Sequence, residues 1–70
     1  MMHNYIDSWS VEVLCFDGFD WICYGLQNER AAITKGKSIK SLDSVYRVNI
    51  IHTSRATPRA RWKKEIFTLK

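Results

Sequence analysis

The chain has 70 residues, a formal net charge of +4 and a sequence pI of about 9.3. It is one domain at most, and a domain of this size buries only roughly 60% of its unfolded surface. A composition of 46% hydrophobic and 13% aromatic residues argues against disorder, no apolar run approaches the ~18 residues of a membrane span, and so short a chain favours a binding module over an enzyme with a pocket of ~300 Å³ or more.

Residues 1–8 read as an irregular lead-in. Met1-Met2-His3-Asn4-Tyr5-Ile6-Asp7 has neither the basic nor the apolar region of a secretory signal. Trp9 to Phe16 reads as a strand, with Trp9, Val11, Val13 and Cys15 alternating against Ser10, Glu12 and Leu14. Phe16-Asp17-Gly18 is a turn signal, and Phe19 to Tyr24 reads as the returning strand. A three-residue loop with Gly18 left-handed pairs Cys15 with Phe19, Val13 with Trp21 and Val11 with Cys23. A two-residue Asp17-Gly18 turn would put Asp20 among the apolar side chains, so the longer loop is preferred. In that register Glu12, Asp20 and Tyr24 share a face with Leu14 and Ile22.

Asn28 suits the N-cap of a helix starting near Glu29. Ala32, Ile33, Gly36, Ile39 and Leu42 form its apolar stripe. Glu29 near the start and Lys40 near the end suit the helix dipole. Gly36 costs about 1 kcal/mol against Ala in a helix interior. Close approach to a large residue of the sheet, Trp21 or Trp9, is the expected compensation.

Val45 to Thr53 is a β-branched strand, with Tyr46, Val48, Ile50 and His52 on one face. Ser54 to Arg59, with Pro58, is a loop. Ala60 to Leu69 reads as a strand, because pairing it with residues 45–53 covers an open edge. The other reading is a helix with Thr57 as N-cap and Pro58 at the first helical position. The expected fold is an α+β two-layer ββαββ sandwich, an antiparallel-rich sheet with one helix on one face. The alternative is ββαβα.

No catalytic signature is present. Lys35-Gly36-Lys37-Ser38 lacks the upstream glycine of a phosphate loop and falls inside the helix. His52 beside Arg55 would suit acid–base work in a small ribonuclease, though a strand-end histidine is the plainer reading. His3, His52, Cys15 and Cys23 lack metal-ligand spacing, so no metal or other cofactor is expected. Cys15 and Cys23 fall on the order of 13 Å apart in the preferred register, beyond the ~7 Å that a disulfide spans. Both are expected as buried free thiols of a reducing compartment.

Charge is divided along the chain. Residues 1–30 carry five acids against Arg30 alone, a net −4, and residues 31–70 carry ten bases against Asp43 and Glu65, a net +8. Five of the eleven Lys and Arg residues fall between Ser54 and Lys64. Arg55, Arg59, Arg61, Lys63 and Lys64 suit phosphate or an acidic surface, and Trp62 suits stacking on a base or on an arginine plane. The same set would suit a protein interface, where Arg and Trp dominate binding energy. The plain alternative is a solvated basic surface. A second candidate surface is Glu12, Asp20 and Tyr24, with Leu14 and Ile22 left exposed beside them.

The hairpin from Trp9 to Trp21, the single short helix and the basic end segment together resemble small phage-encoded anti-defence proteins, of the anti-CRISPR or toxin-inhibitor type. The resemblance implies a non-catalytic, stoichiometric inhibitor in the cytoplasm of the bacterial host. Its partner would be a host nuclease or ribonucleoprotein, with RNA among the anionic targets. The alternative is a pure protein–protein inhibitor or assembly factor. No membrane partner is expected, and small size leans toward a homodimer.

Overall fold

The computed structural model describes residues 6–70. Its elements are β1 (Ile6–Cys15), β2 (Trp21–Leu26), α1 (Glu29–Lys40), β3 (Val45–Arg55) and β4 (Lys63–Thr68). The strands form one sheet in the order β2-β1-β3-β4, antiparallel at every step. The helix packs on one face, chiefly over β3 and β1. This is the ββαββ sandwich, and the last segment supplies a strand, not the alternative helix. Residues 1–5 of the expected lead-in lie outside the described residues. Its remainder is strand, because Ile6, Asp7 and Ser8 pair with Arg55, Ser54 and Thr53. Among the described residues no helix is long and apolar enough to cross a membrane.

The first hairpin keeps the pairs Val13–Trp21 and Val11–Cys23, but Cys15 and Phe19 do not pair. Two carboxylates take their place. Phe19 N–H donates to Asp17 Oδ1 at 3.0 Å, and Cys15 N–H donates to Asp20 Oδ1 at 3.1 Å. Gly18 is left-handed, with φ +86°. Capture of these amides by side chains widens the connection, so β2 starts at Trp21 and not at Phe19.

Two register shifts decide which side chains reach the core. Trp9 faces Leu26 while Val11 faces Cys23, so β2 carries one extra residue opposite Ser10. Gly25, with φ +76°, supplies the backbone for this bulge. The bulge turns Leu26 from the side of Ile22 and Tyr24 to the side of Trp9, where it packs on the core. On β3, Leu14 faces Arg47 while Cys15 faces Val45, so Tyr46 is the extra residue. Val45 is therefore buried and Tyr46 is exposed, with its ring 5.2 Å from that of Phe16. Simple alternation groups Tyr46 with Val48 and Ile50; the bulge reverses that.

Asn28 caps α1 as its side chain suggests, Oδ1 accepting from Ala31 N–H at 2.8 Å. Ala32, Gly36 and Ile39 are buried, and Ile33 packs beside them. Leu42 is exposed rather than part of the stripe, because the helix ends at Lys40 with Ser41 as C-cap. A Cβ on Gly36 would lie 3.0 Å from Leu69 Cδ2, 3.1 Å from Ile50 Cδ1 and 3.3 Å from Val48 Cγ1. The close approach is real, but its partners are aliphatic groups of β3 and the C-terminal end, not Trp9 or Trp21. Leu69 reaches this position because its N–H donates to Val48 O at 2.8 Å, extending the β3–β4 pairing past Thr68.

The core side of the sheet is closed by Val11, Val13, Val48 and Ile50 under the helix. The other side has no helix over it. Ser10, Asn49 and Ile51 at its centre are nonetheless buried. Asn49 Nδ2 donates to Glu12 Oε1 at 2.9 Å, and Thr68 Oγ1 donates to Asn49 Oδ1 at 2.9 Å. That chain of bonds ties β1, β3 and β4 together across the open side.

Candidate nucleic-acid interface

The basic segment folds as the tip of the β3–β4 hairpin. Thr57 to Ala60 make a β-turn in which Ala60 N–H donates to Thr57 O at 3.0 Å and to Thr57 Oγ1 at 3.1 Å. Pro58 holds the second position of that turn, where its fixed φ is favoured. Arg59 follows in the third position and is exposed, as is Arg61.

Arg55 and Trp62 close the base of the tip. The Arg55 guanidinium carbon lies 4.5 Å from the Trp62 ring centroid, in cation–π contact. Arg55 Nη1 donates to Pro58 O at 3.0 Å. Arg55 Nε is buried and has no hydrogen-bond partner. Arg55 thus braces the loop from within, with its planar group between the turn and the indole. Trp62 itself stays 50% exposed.

Strand alternation separates the two lysines. Lys63 pairs with Ser54 and faces the helix side of the sheet, whereas Lys64 pairs with Thr53 and faces the open side. Arg47 also lies on the open side, opposite Leu14. Arg47 stands apart near the start of β3, while Arg59, Arg61, Lys63 and Lys64 surround the hairpin end on both sides of the sheet instead of forming one flat patch. None of them is neutralised internally: among the described residues the ion pairs are those of His52, and no lysine or arginine takes part in one.

Glu12 falls on the open side opposite Ile22, whereas Asp20 precedes β2 in the connection and Tyr24 lies in the unpaired stretch of β2 between Cys23 and Leu26. Their availability differs. Glu12 is bonded to Asn49 and Asp20 to the Cys15 amide. Tyr24 is 74% exposed, beside the exposed Ile22, with Ile66 exposed on the opposite edge strand.

His52 is placed on the helix side. Its ring stacks on Trp9, with Nε2 3.1 Å from Asp7 Oδ2 and Nδ1 3.3 Å from Glu65 Oε1. With both nitrogens engaged by carboxylates, neither points at a substrate proton. Sequence reasoning missed these partners; it anticipated Trp62 on an arginine plane, but not that the arginine is Arg55 or that the contact braces the loop. Both link positions whose spacing depends on strand register. Cys15 and Cys23 are free thiols, the first buried and the second partly so. Among the described residues no cluster of His, Cys, Asp and Glu is arranged to hold a metal ion.

A groove of about 550 Å³ runs beside the helix, between Leu26 and the Ala31, Thr34, Lys35 and Ser38 side of α1. It is wide open, and its charged lining residues, Arg30 and Lys35, are both cations. Compared with protein families, characterised proteins and solved structures, the chain matches none.

Proposed function

We propose that this protein is a non-enzymatic binding module that grips an anionic polymer, RNA in the first instance, through the tip of the β3–β4 hairpin. The observation that carries the reading is the set of cations around one braced turn that, among the described residues, have no carboxylate partner. Arg59, Arg61, Lys63 and Lys64 make the phosphate contacts, and Arg55 acts from behind as their support. In the setting implied by the resemblance to phage anti-defence proteins, the module is a cytoplasmic, stoichiometric inhibitor of a host nuclease or ribonucleoprotein.

Filter binding of a mixed-sequence 20-nucleotide RNA tests this. Four phosphate contacts on a single strand predict roughly a 50-fold loss of affinity between 50 and 200 mM salt. Absence of any retained RNA at the lower salt overturns the reading.

The exposed Ile22, Tyr24 and Ile66 on the open side favour a second reading, a protein–protein inhibitor or assembly factor. Co-purification with and without nuclease separates the two. A partner lost after nuclease treatment supports the first; a partner retained after it, and lost on Tyr24→Asp, supports the second.

A further inference from the structure

We infer that Trp62 is a one-sided stacking platform for an unpaired nucleobase, so that the hairpin tip selects single-stranded over double-stranded nucleic acid. The inference rests on the anionic-polymer reading above and adds to it the part of the polymer that is recognised.

An exposed tryptophan at a loop end is ordinarily mobile, and ordering it on binding costs about 0.5–1.5 kcal/mol. Here that ordering is already made. Arg55 occupies one face of the ring at 4.5 Å, and Arg55 is itself fixed by its bond to Pro58 O. Half of the residue remains exposed, and with Arg55 on one face the base is assigned to the other. A guanidinium behind the indole also leaves cationic charge close to whatever stacks in front of it.

A base fits this surface because it is flat, polarisable and attached to a phosphate. Arg59 and Arg61 lie three positions and one position before Trp62, and Lys64 two positions after it. Cations on both sides of the platform can therefore meet the phosphates that flank a stacked nucleotide. Bases inside a duplex already have both faces covered by their neighbours. An indole without a wedge position in the groove gains nothing from them, whereas an unpaired base presents a free face. The shared chemistry is an unpaired base between two phosphates, whether the strand is RNA or DNA.

Four probes test the platform with the full-length protein: a 10-nucleotide oligouridylate, an oligothymidylate of the same length, a 10-base-pair RNA duplex and inorganic polyphosphate. Trp62→Ala should weaken both single strands on the order of tenfold and weaken polyphosphate, which has no base to stack, by much less. Trp62→Phe should retain most of the affinity. It should also lose the fluorescence quenching that the wild type shows on binding, since Trp9 and Trp21 lie elsewhere in the sheet. Uridylate and thymidylate bound alike, or uridylate bound better, both support the stack. Single-strand affinity unchanged in Trp62→Ala overturns the platform while the phosphate grip stands. Equal loss of polyphosphate binding, or a duplex bound as tightly as the single strands, also overturns it. If the wild type binds none of the four probes at low salt, the grip fails and the platform with it.

Discussion

His52 lies flat on Trp9, the ring centroids 3.9 Å apart and the planes 10° from parallel. The same imidazole bridges Asp7 on β1 and Glu65 on β4, so one side chain of β3 joins three strands on the helix side of the sheet. Only the imidazolium can donate to both carboxylates; the neutral ring donates to one. The arrangement is a structural clasp for the part of the sheet from which the basic tip projects.

His52→Ala removes the stack on Trp9 and the imidazole's contacts to Asp7 and Glu65. An aromatic pair contributes about 0.5–1.5 kcal/mol beyond its buried area, so a loss of about 1–2 kcal/mol is expected in urea unfolding. An unchanged midpoint would show that the clasp contributes nothing.

Gly36→Ala sets two effects against each other. Helix propensity gains about 1 kcal/mol. The new methyl group meets Ile50 and Val48, both buried, as well as Leu69, at 3.0–3.3 Å. Leu69 can give way, but the two β3 side chains are held by the core, and overpacking costs about 1–3 kcal/mol. The melting temperature should fall. A raised or unchanged value would remove the close-packing account of this glycine.

Gly25→Ala has open space around the new methyl group but a backbone φ of +76° to satisfy. A left-handed alanine costs about 1–2 kcal/mol. Gly25→Asn should cost less, because asparagine tolerates that region. Equal stability of the Ala, Asn and wild-type proteins in thermal melts would argue against the bulge as drawn.

Asp20→Ala deprives the Cys15 amide of its acceptor and should destabilise the first hairpin by about 1 kcal/mol. Loss of a partner on charge reversal there would therefore mix a broken turn with a lost contact. Tyr24 is the cleaner probe of the open side, and Tyr24→Ala should leave the urea midpoint unchanged within error. A large shift would mean that the ring packs internally after all.

Arg59→Ala and Arg61→Ala should each lower the magnitude of the salt slope for RNA binding by about 0.7, the value for one phosphate on a single strand. The melting temperature should not move, because neither side chain is buried. Arg55→Ala should lower both affinity and stability, since it removes the brace from Pro58 and Trp62. If Arg55→Ala affects affinity alone, the residue contacts ligand and does not merely support the loop.

The sequence by itself determined the order and kind of the first four elements and left the last between strand and helix, which the pairing of β4 with β3 decided. Alternation at Trp9–Cys15 and in residues 45–53, the Asn28 cap and the glycine in the Asp17-Gly18 turn are local signals, read within a few residues of where they act. It also determined that the C-terminal segment carries the charge. Tertiary structure alone decided which side each of those groups faces. The bulges at Gly25 and Tyr46 exchange Leu26, Val45 and Tyr46 between core and solvent. The pairing of β4 with β3 sends Lys63 and Lys64 to opposite sides. His52 meets Asp7 across 45 positions of chain, and Arg55 meets Trp62 only because the turn at Pro58 brings the chain back. Side-chain period along a strand is a property of the backbone next to it, whereas register between strands is chosen by the whole set of contacts that pairing makes at once.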